Sequence, residues 1–176
     1  MTHGRRKKLI SVLVVAFVSA ALLRTFVLEG FIVRGDSMAP TILDGEYVIV
    51  NKLAYAFRNP ERGDIVVANP RGERIKIIKR VIGMPGERFS IENDQVAIRV
   101  ERLAAATVLN EGYLGSPSTT SRGISVLNID PEEYFALGDN REVSTDSRDL
   151  GPIDKWKIKG KVLGAFNLGE FKYRGL

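Results

Sequence analysis

The sequence predicts a mainly β domain, barrel-like, mounted on one N-terminal membrane-spanning helix. Three observations lead there. A long apolar run follows closely behind a basic cluster at the N-terminus. Beyond residue 29 no stretch keeps a helical period, and short runs rich in β-branched and aromatic residues alternate with turn formers. A length of 176 residues suffices for one domain with a real core, and not comfortably for two.

The first element is a basic cytoplasmic tail, residues 1–8, in which Arg5, Arg6, Lys7 and Lys8 stand together. Residues 9–23 (LISVLVVAFVSAALL) follow; Arg24 interrupts the run and Thr25-Phe26-Val27-Leu28 extends it. A helix needs about twenty residues to cross about 30 Å of hydrocarbon. Residues 9–28 reach that length when Arg24 snorkels to the outer interface. The basic cluster then holds the N-terminus inside the cell membrane, and residues 29–176 form a single-pass protein's extracytoplasmic domain. A cleaved secretory signal is the other reading, because Ser19-Ala20-Ala21 is a passable small-residue site. Length favours the anchor, with membrane lipid as a partner, and both readings export the domain.

Within the exported part the expected strands are Tyr47-Val48-Ile49-Val50, Asp64-Ile65-Val66-Val67, residues 74–82, Phe89-Ser90-Ile91, residues 96–100 and residues 134–137. Asn93-Asp94 suits a hairpin turn. Pro60, Pro70, Pro85, Pro131 and Pro152 all fall between runs, as ladder hydrogen bonding requires. Residues 115–123 (GSPSTTSRG) read as a flexible loop.

Composition removes several function classes. Net charge is +5, but five basic residues precede the first acidic one, and residues 29–176 carry 21 basic against 21 acidic residues. Nucleic acid, which needs clustered positive charge on the folded part, is excluded as a partner. Cysteine is absent and the single histidine is His3, in the tail. That leaves no thiol nucleophile, no disulfide, no Ser-His-Asp triad and no ordinary zinc site. Any base must be a carboxylate, a lysine or a tyrosine, and neither a metal nor an organic cofactor is implied.

Three segments carry candidate chemistry. Ser37 lies in Gly35-Asp36-Ser37-Met38-Ala39-Pro40, a few residues after the apolar run. A turn serine beside glycine suits an acyl-transfer nucleophile, and equally a capping or turn serine. In Ile75-Lys76-Ile77-Ile78-Lys79-Arg80-Val81-Ile82, alternation puts Ile75, Ile77, Lys79 and Val81 on one face, so Lys79 is the one cation on an apolar stripe. Burial there lowers a lysine pKa and makes the amine a competent base; a snorkelling lysine is the bland equivalent. The third segment, residues 138–152, combines turn formers with alternating charge. It reads either as a solvated loop or as an ion-pair frame in which Asp139, Asp146, Arg148 and Arg80 position the Lys79 strand, with the Ser147 hydroxyl orienting the amine.

Together these segments resemble the type I signal peptidases. The resemblance rests on GDSMAPTI (35–42), GEYVIVNKL (45–53), RGDIVV (62–67), KRVIGMPGE (79–87) and GDNREVSTDSRDLGPI (138–153), which span most of the exported domain. It implies a signal-peptidase-like coiled β-sheet, Ser37 as nucleophile, Lys79 as general base, Ser147 as the hydroxyl that orients the lysine, and signal peptides of secreted preproteins as substrates. The small size and single anchor resemble Gram-positive-type members. Two positions depart from the pattern. Gly35 stands where some members place an oxyanion-binding serine, and residues 99–120 differ from the hairpin and short loop expected there. Val33, Met38, Ile42 and Ile78 are the expected linings of shallow pockets for alanine-sized side chains, by their nearness to the two reactive residues. Trp156, Phe166 and Phe171 suit either an interfacial patch or a C-terminal core. The reading from another class is a non-enzymatic, membrane-tethered β module that binds exported peptides.

Overall fold

The computed structural model describes residues 3–70, 76–100, 105–116, 118–124 and 126–176. Helix α1 (His3–Leu22) runs into a wider helical turn, Leu23–Val27, and Leu28 already opens a strand. The basic cluster, residues 5–8, lies in the first turns of that helix. The stretch Arg5–Val27 is long and apolar enough to cross a membrane, and its described apolar side chains at Leu9, Ile10, residues 12–15, Phe17, Val18 and Phe26 are exposed. The Arg24 side chain, on which the snorkelling expectation rests, lies outside the described residues.

The strands are β1 (Leu28–Ile32), β2 (Tyr47–Asn51), β3 (Ile65–Ala68), β4 (Ile77–Gly83), β5 (Arg88–Glu92), β6 (Gln95–Arg99), β7 (Thr107–Val108), β8 (Val126–Asn128), β9 (Glu133–Leu137), β10 (Ile153–Asp154), β11 (Ile158–Asn167) and β12 (Lys172–Gly175). One short helix, α2 (Ser147–Leu150), precedes β10. A large antiparallel sheet has the order β1-β2-β11-β3-β4-β9-β10, with β12 on β11, and a smaller one the order β7-β6-β5-β8. The large sheet curls so that residues of β1, its edge strand, face the start of β4 across a groove.

The mainly β expectation holds, and the residues explain why. Val48 and Val50 of β2 alternate inward while Tyr47 and Ile49 lie half out. Strand β3 is buried on both faces: Ile65 and Val67 pack with Val33, Met38, Ile42 and Ile78, whereas Val66 and Ala68 pack with Val81, Tyr134 and Ala136. A third cluster, built around Ile82, Phe89, Phe135 and Leu137, joins the two sheets. Asn93 and Asp94 both take positive φ, at 50° and 59°, in the two-residue turn that pairs Glu92 with Gln95.

Strand β11 is the element least visible in the sequence, because Gly160 and Gly164 read as breakers. Each marks a close approach: a Cβ on Gly160 would stand 2.6 Å from the Asn51 carbonyl oxygen, and one on Gly164 would meet the Tyr173 ring. The 115–123 segment is a loop as expected, but a tethered one. Thr119 is fully buried, its N–H donates to the Asp94 carbonyl, and Arg122 bonds to Asp149 and to the carbonyl of Ser144.

Candidate active site

Strand pairing places Lys79. It stands opposite Val66 on β3, between Ile77 and Val81 on the same face, and is 3 % exposed. Ile75, the fourth residue expected on that stripe, lies outside the described residues. Ser37 sits in the turn between β1 and β2, half-buried, and Lys79 Nζ donates to Ser37 Oγ at 2.8 Å. The two residues, 42 apart in the chain, are in direct contact.

Burial acts first on the amine and lowers its pKa from 10.5 to about 8. Asp146 and Asp139 pull in the other direction, and the Arg148 guanidinium assists the lowering. Both carboxylates are already committed to arginines. Arg80 Nε and Nη2 donate to the two oxygens of Asp139 at 2.8 and 2.6 Å. Arg148 Nε and Nη2 donate to those of Asp146 at 2.9 and 2.8 Å, with both side chains fully buried. Bidentate pairing offsets part of that negative charge, and burial outweighs what remains. Burial alone would raise the Asp146 pKa, but the Arg148 hydrogen bonds outweigh it and hold the carboxyl ionised. Asp146 also caps α2 and accepts from the Gly138 N–H at 3.0 Å, which fixes the loop to the strand end.

The turn and the loop meet through backbone. The Asn140 N–H donates to the Ser37 carbonyl at 3.1 Å. Gly138 permits that approach, since a Cβ there would lie 2.4 Å from the same carbonyl oxygen and 2.1 Å from Ser144 Oγ. The Ser37 N–H has no hydrogen-bond partner among the described residues.

Ser147 and Ile42 depart from the sequence reading, and two further features add to it. The Ser147 hydroxyl accepts from the Ala136 N–H at 3.0 Å, and among the described residues the Lys79 amine bonds to Ser37 and not to Ser147. Ser144 is the buried serine whose Oγ completes no hydrogen bond of normal length among the described residues, although it lies beside Asp146. Ile42 is fully buried in the core and does not line the groove, whereas Val33, Met38 and Ile78 do. Trp156 and Phe171 are exposed, and Phe166 meets Phe171 edge-on, so none of the three forms a C-terminal core.

The segment at 99–120, where no site residue was expected, contributes Glu111 and Tyr113. Glu111 accepts from Arg141 Nη1 and Nη2 at 3.0 and 2.5 Å, and the Tyr113 ring lies 4.0 Å beneath the Arg80 guanidinium. Nothing in their spacing announces these contacts, because both partners come from distant strands and loops.

A groove of about 360 Å³ runs to Ser37 and Lys79 between Phe31-Ile32-Val33-Arg34 and Lys76-Ile77-Ile78. A second hollow, of about 670 Å³, continues past them along Gly35, Asp36, Asn140, Val143 and Thr145. An alcohol hydrogen-bonded to a shielded amine, reached from two adjoining hollows, is the equipment of a serine hydrolase.

Comparison with known proteins narrows that class. The family model described as "Signal peptidase, peptidase S26" matches residues 6–166. Signal peptidase IB of Staphylococcus aureus (strain MRSA252) is 35 % identical over 90 % of this chain and 88 % of its own. Signal peptidase I P of Bacillus subtilis subsp. natto is 34 % identical over 86 % and 83 %. The crystal structure of a signal peptidase I from Enterococcus faecalis V583 is similar with a TM-score of 0.50 at 27 % identity, covering 59 % of this chain and 97 % of that one. The chain belongs to the signal peptidase family, peptidase S26, and is a serine endopeptidase that removes signal peptides.

Proposed function

We propose that the chain cleaves signal peptides from exported preproteins with Ser37 as nucleophile and neutral Lys79 as general base, through an acyl-enzyme. One observation carries this reading: the 2.8 Å hydrogen bond between a half-buried hydroxyl and an amine that is 3 % exposed. Lys79 takes the Ser37 proton as Oγ attacks the carbonyl carbon, and the C–N bond then breaks as the lysinium returns the proton to the leaving amine. Water, deprotonated by the same amine, attacks the acyl carbon and frees Ser37. The unpartnered Ser37 N–H is the donor for the oxyanion, a task that Gly35, having no side-chain hydroxyl, leaves to the backbone.

Strand edges support an extended substrate. β1 pairs only with β2, and the β9 partners of β4 begin at Arg80, so residues 77–79 of β4 keep one free edge. A peptide lying between those two edges completes both ladders with its backbone. Phe31, Val33, Met38 and Ile78 close the floor around the scissile bond and leave room for small side chains. Burial keeps the Lys79 pKa low; Asp139 and Asp146 favour the ammonium form, an effect limited by their bidentate pairing with Arg80 and Arg148, and none of the four touches the reacting atoms. Ser147 ties α2 to β9 through the Ala136 N–H. No metal or organic cofactor takes part.

Residues 5–27 anchor the enzyme with its basic end in the cytoplasm, which confines enzyme and membrane-bound precursor to one interface. Ser37→Ala and Lys79→Ala are each expected to abolish cleavage of a purified precursor while circular dichroism stays that of the parent. Lys79→Arg is expected to fail as well, because guanidinium does not give up its proton. Retained turnover in any of the three removes the dyad.

A further inference from the structure

The Arg80–Asp139 pair is the less protected of the two ion pairs beside Lys79. Arg80 is 12 % exposed at its side chain, whereas Arg148 and Asp146 are fully shielded. The Tyr113 ring lies against Arg80, with the guanidinium carbon 4.0 Å above its centroid, while Nη1 and Nη2 also donate to the Gly63 carbonyl and to Thr41 Oγ1. The ring is itself anchored: Tyr113 OH donates to Glu111 Oε1 at 2.5 Å, and Glu111 accepts the two Arg141 hydrogen bonds. Arg141 returns to the catalytic loop, donating from Nε to the Gly138 carbonyl at 3.0 Å. Burial and Glu111 together push the Tyr113 hydroxyl pKa well up, so it remains a donor throughout the working range.

We propose that Tyr113, braced by Glu111, is a positioning residue: its ring excludes water from the Arg80–Asp139 pair and so keeps the Asp139 charge spent on Arg80 and off Lys79. The proposal rests on the reading of Lys79 as general base. An ion pair weakens as water raises the local dielectric, and a guanidinium on an aromatic face gains attraction from the ring. The charged groups acting on Lys79 are Asp146, the stronger of the two carboxylates and paired to the fully shielded Arg148, and Asp139. From the other elements, β3 presents Val66 opposite the lysine and the turn presents the Ser37 hydroxyl. Asp139 is thus the one carboxylate whose influence depends on a partially open pair.

The sign follows. Losing the ring loosens Arg80 from Asp139, the freed anion favours the ammonium form of Lys79, and the amine needs a higher pH to act. The test is the kcat/KM–pH profile of the full chain in detergent against a precursor peptide. Tyr113→Leu is expected to move the acid limb up by about one unit, a loss of about tenfold at pH 7, with the high-pH plateau kept. Tyr113→Phe, which keeps the ring, is expected to stay within about twofold of the parent at pH 7. In an Asp139→Asn background Tyr113→Leu is expected to leave the limb in place, since the charge it exposes is gone. A Tyr113→Leu profile that falls equally at every pH, or a limb that moves equally with and without Asp139, overturns the proposal. A parent with no acid limb defeats the general-base reading itself and is recognisable without any variant.

Discussion

The turn that carries Ser37 and the loop at 138–149 reach Lys79 from opposite sides and are built in opposite ways. In the turn, Arg34, Gly35 and Asp36 are exposed and Ser37 half-buried, and a few bonds hold the shape: Gly35 N–H to the Asp44 carboxylate at 2.7 Å and Ala39 N–H to the Asp36 carbonyl at 3.0 Å. In the loop, Asp139, Arg141, Ser144, Asp146, Ser147 and Arg148 are all buried, and almost every polar atom is paired. The difference teaches how the chemistry is divided. A nucleophile must be reached by substrate, whereas a lysine base must be kept from water, so polarity is placed outside on one side and locked inside on the other.

The comparison is broken most severely from the loop. Arg148→Met leaves Asp146 charged in a site without solvent, and an expected loss of about 3–5 kcal/mol would appear in chemical denaturation. Gly138→Ala forces a methyl onto the Ser37 carbonyl oxygen at 2.4 Å and is expected to cost about 10²-fold in kcat/KM by displacing the nucleophile. Lys79→Met sharpens the contrast from the strand between them. Folded Lys79 has a pKa of about 8 against an ordinary 10.5, so the unfolded chain binds the proton more tightly and stability rises with pH between those values. The methionine variant avoids that penalty. It is expected to melt above the parent at pH 7, with the margin narrowing as pH climbs from 8 toward 10.5. The smallest effect belongs to the turn: Gly35→Ala meets no atom within 4 Å but must hold φ at +93°, so about 1 kcal/mol is expected in thermal unfolding.

Much of this was legible from local rules. Alternation around Lys79 found its face, since Ile77 and Val81 do pack together, and Asn93-Asp94 marked its hairpin. The paired charges Arg80–Asp139 and Arg148–Asp146 form the frame expected of that segment. What local rules miss is set by packing between distant segments. The glycines of β11 exist for backbones and rings arriving from β2 and β12, and Gly138 for Ser37. Ser144 and Ser147 are indistinguishable by residue type; only packing separates them, Ser147 bonding the Ala136 N–H of β9 and Ser144 lying beside Asp146. Tyr113 and Glu111 lie in a stretch with no periodic signal, and their role depends on where Arg80 and Arg141 come to rest.

The most direct measurement is the NMR titration of the Lys79 side chain in the full-length protein, its resonance identified by its loss in Lys79→Met. A midpoint near 8 is expected, with the Ser37→Ala variant titrating in the same region. A lysine that stays protonated past pH 10 would contradict the account, because an ammonium cannot take the serine proton.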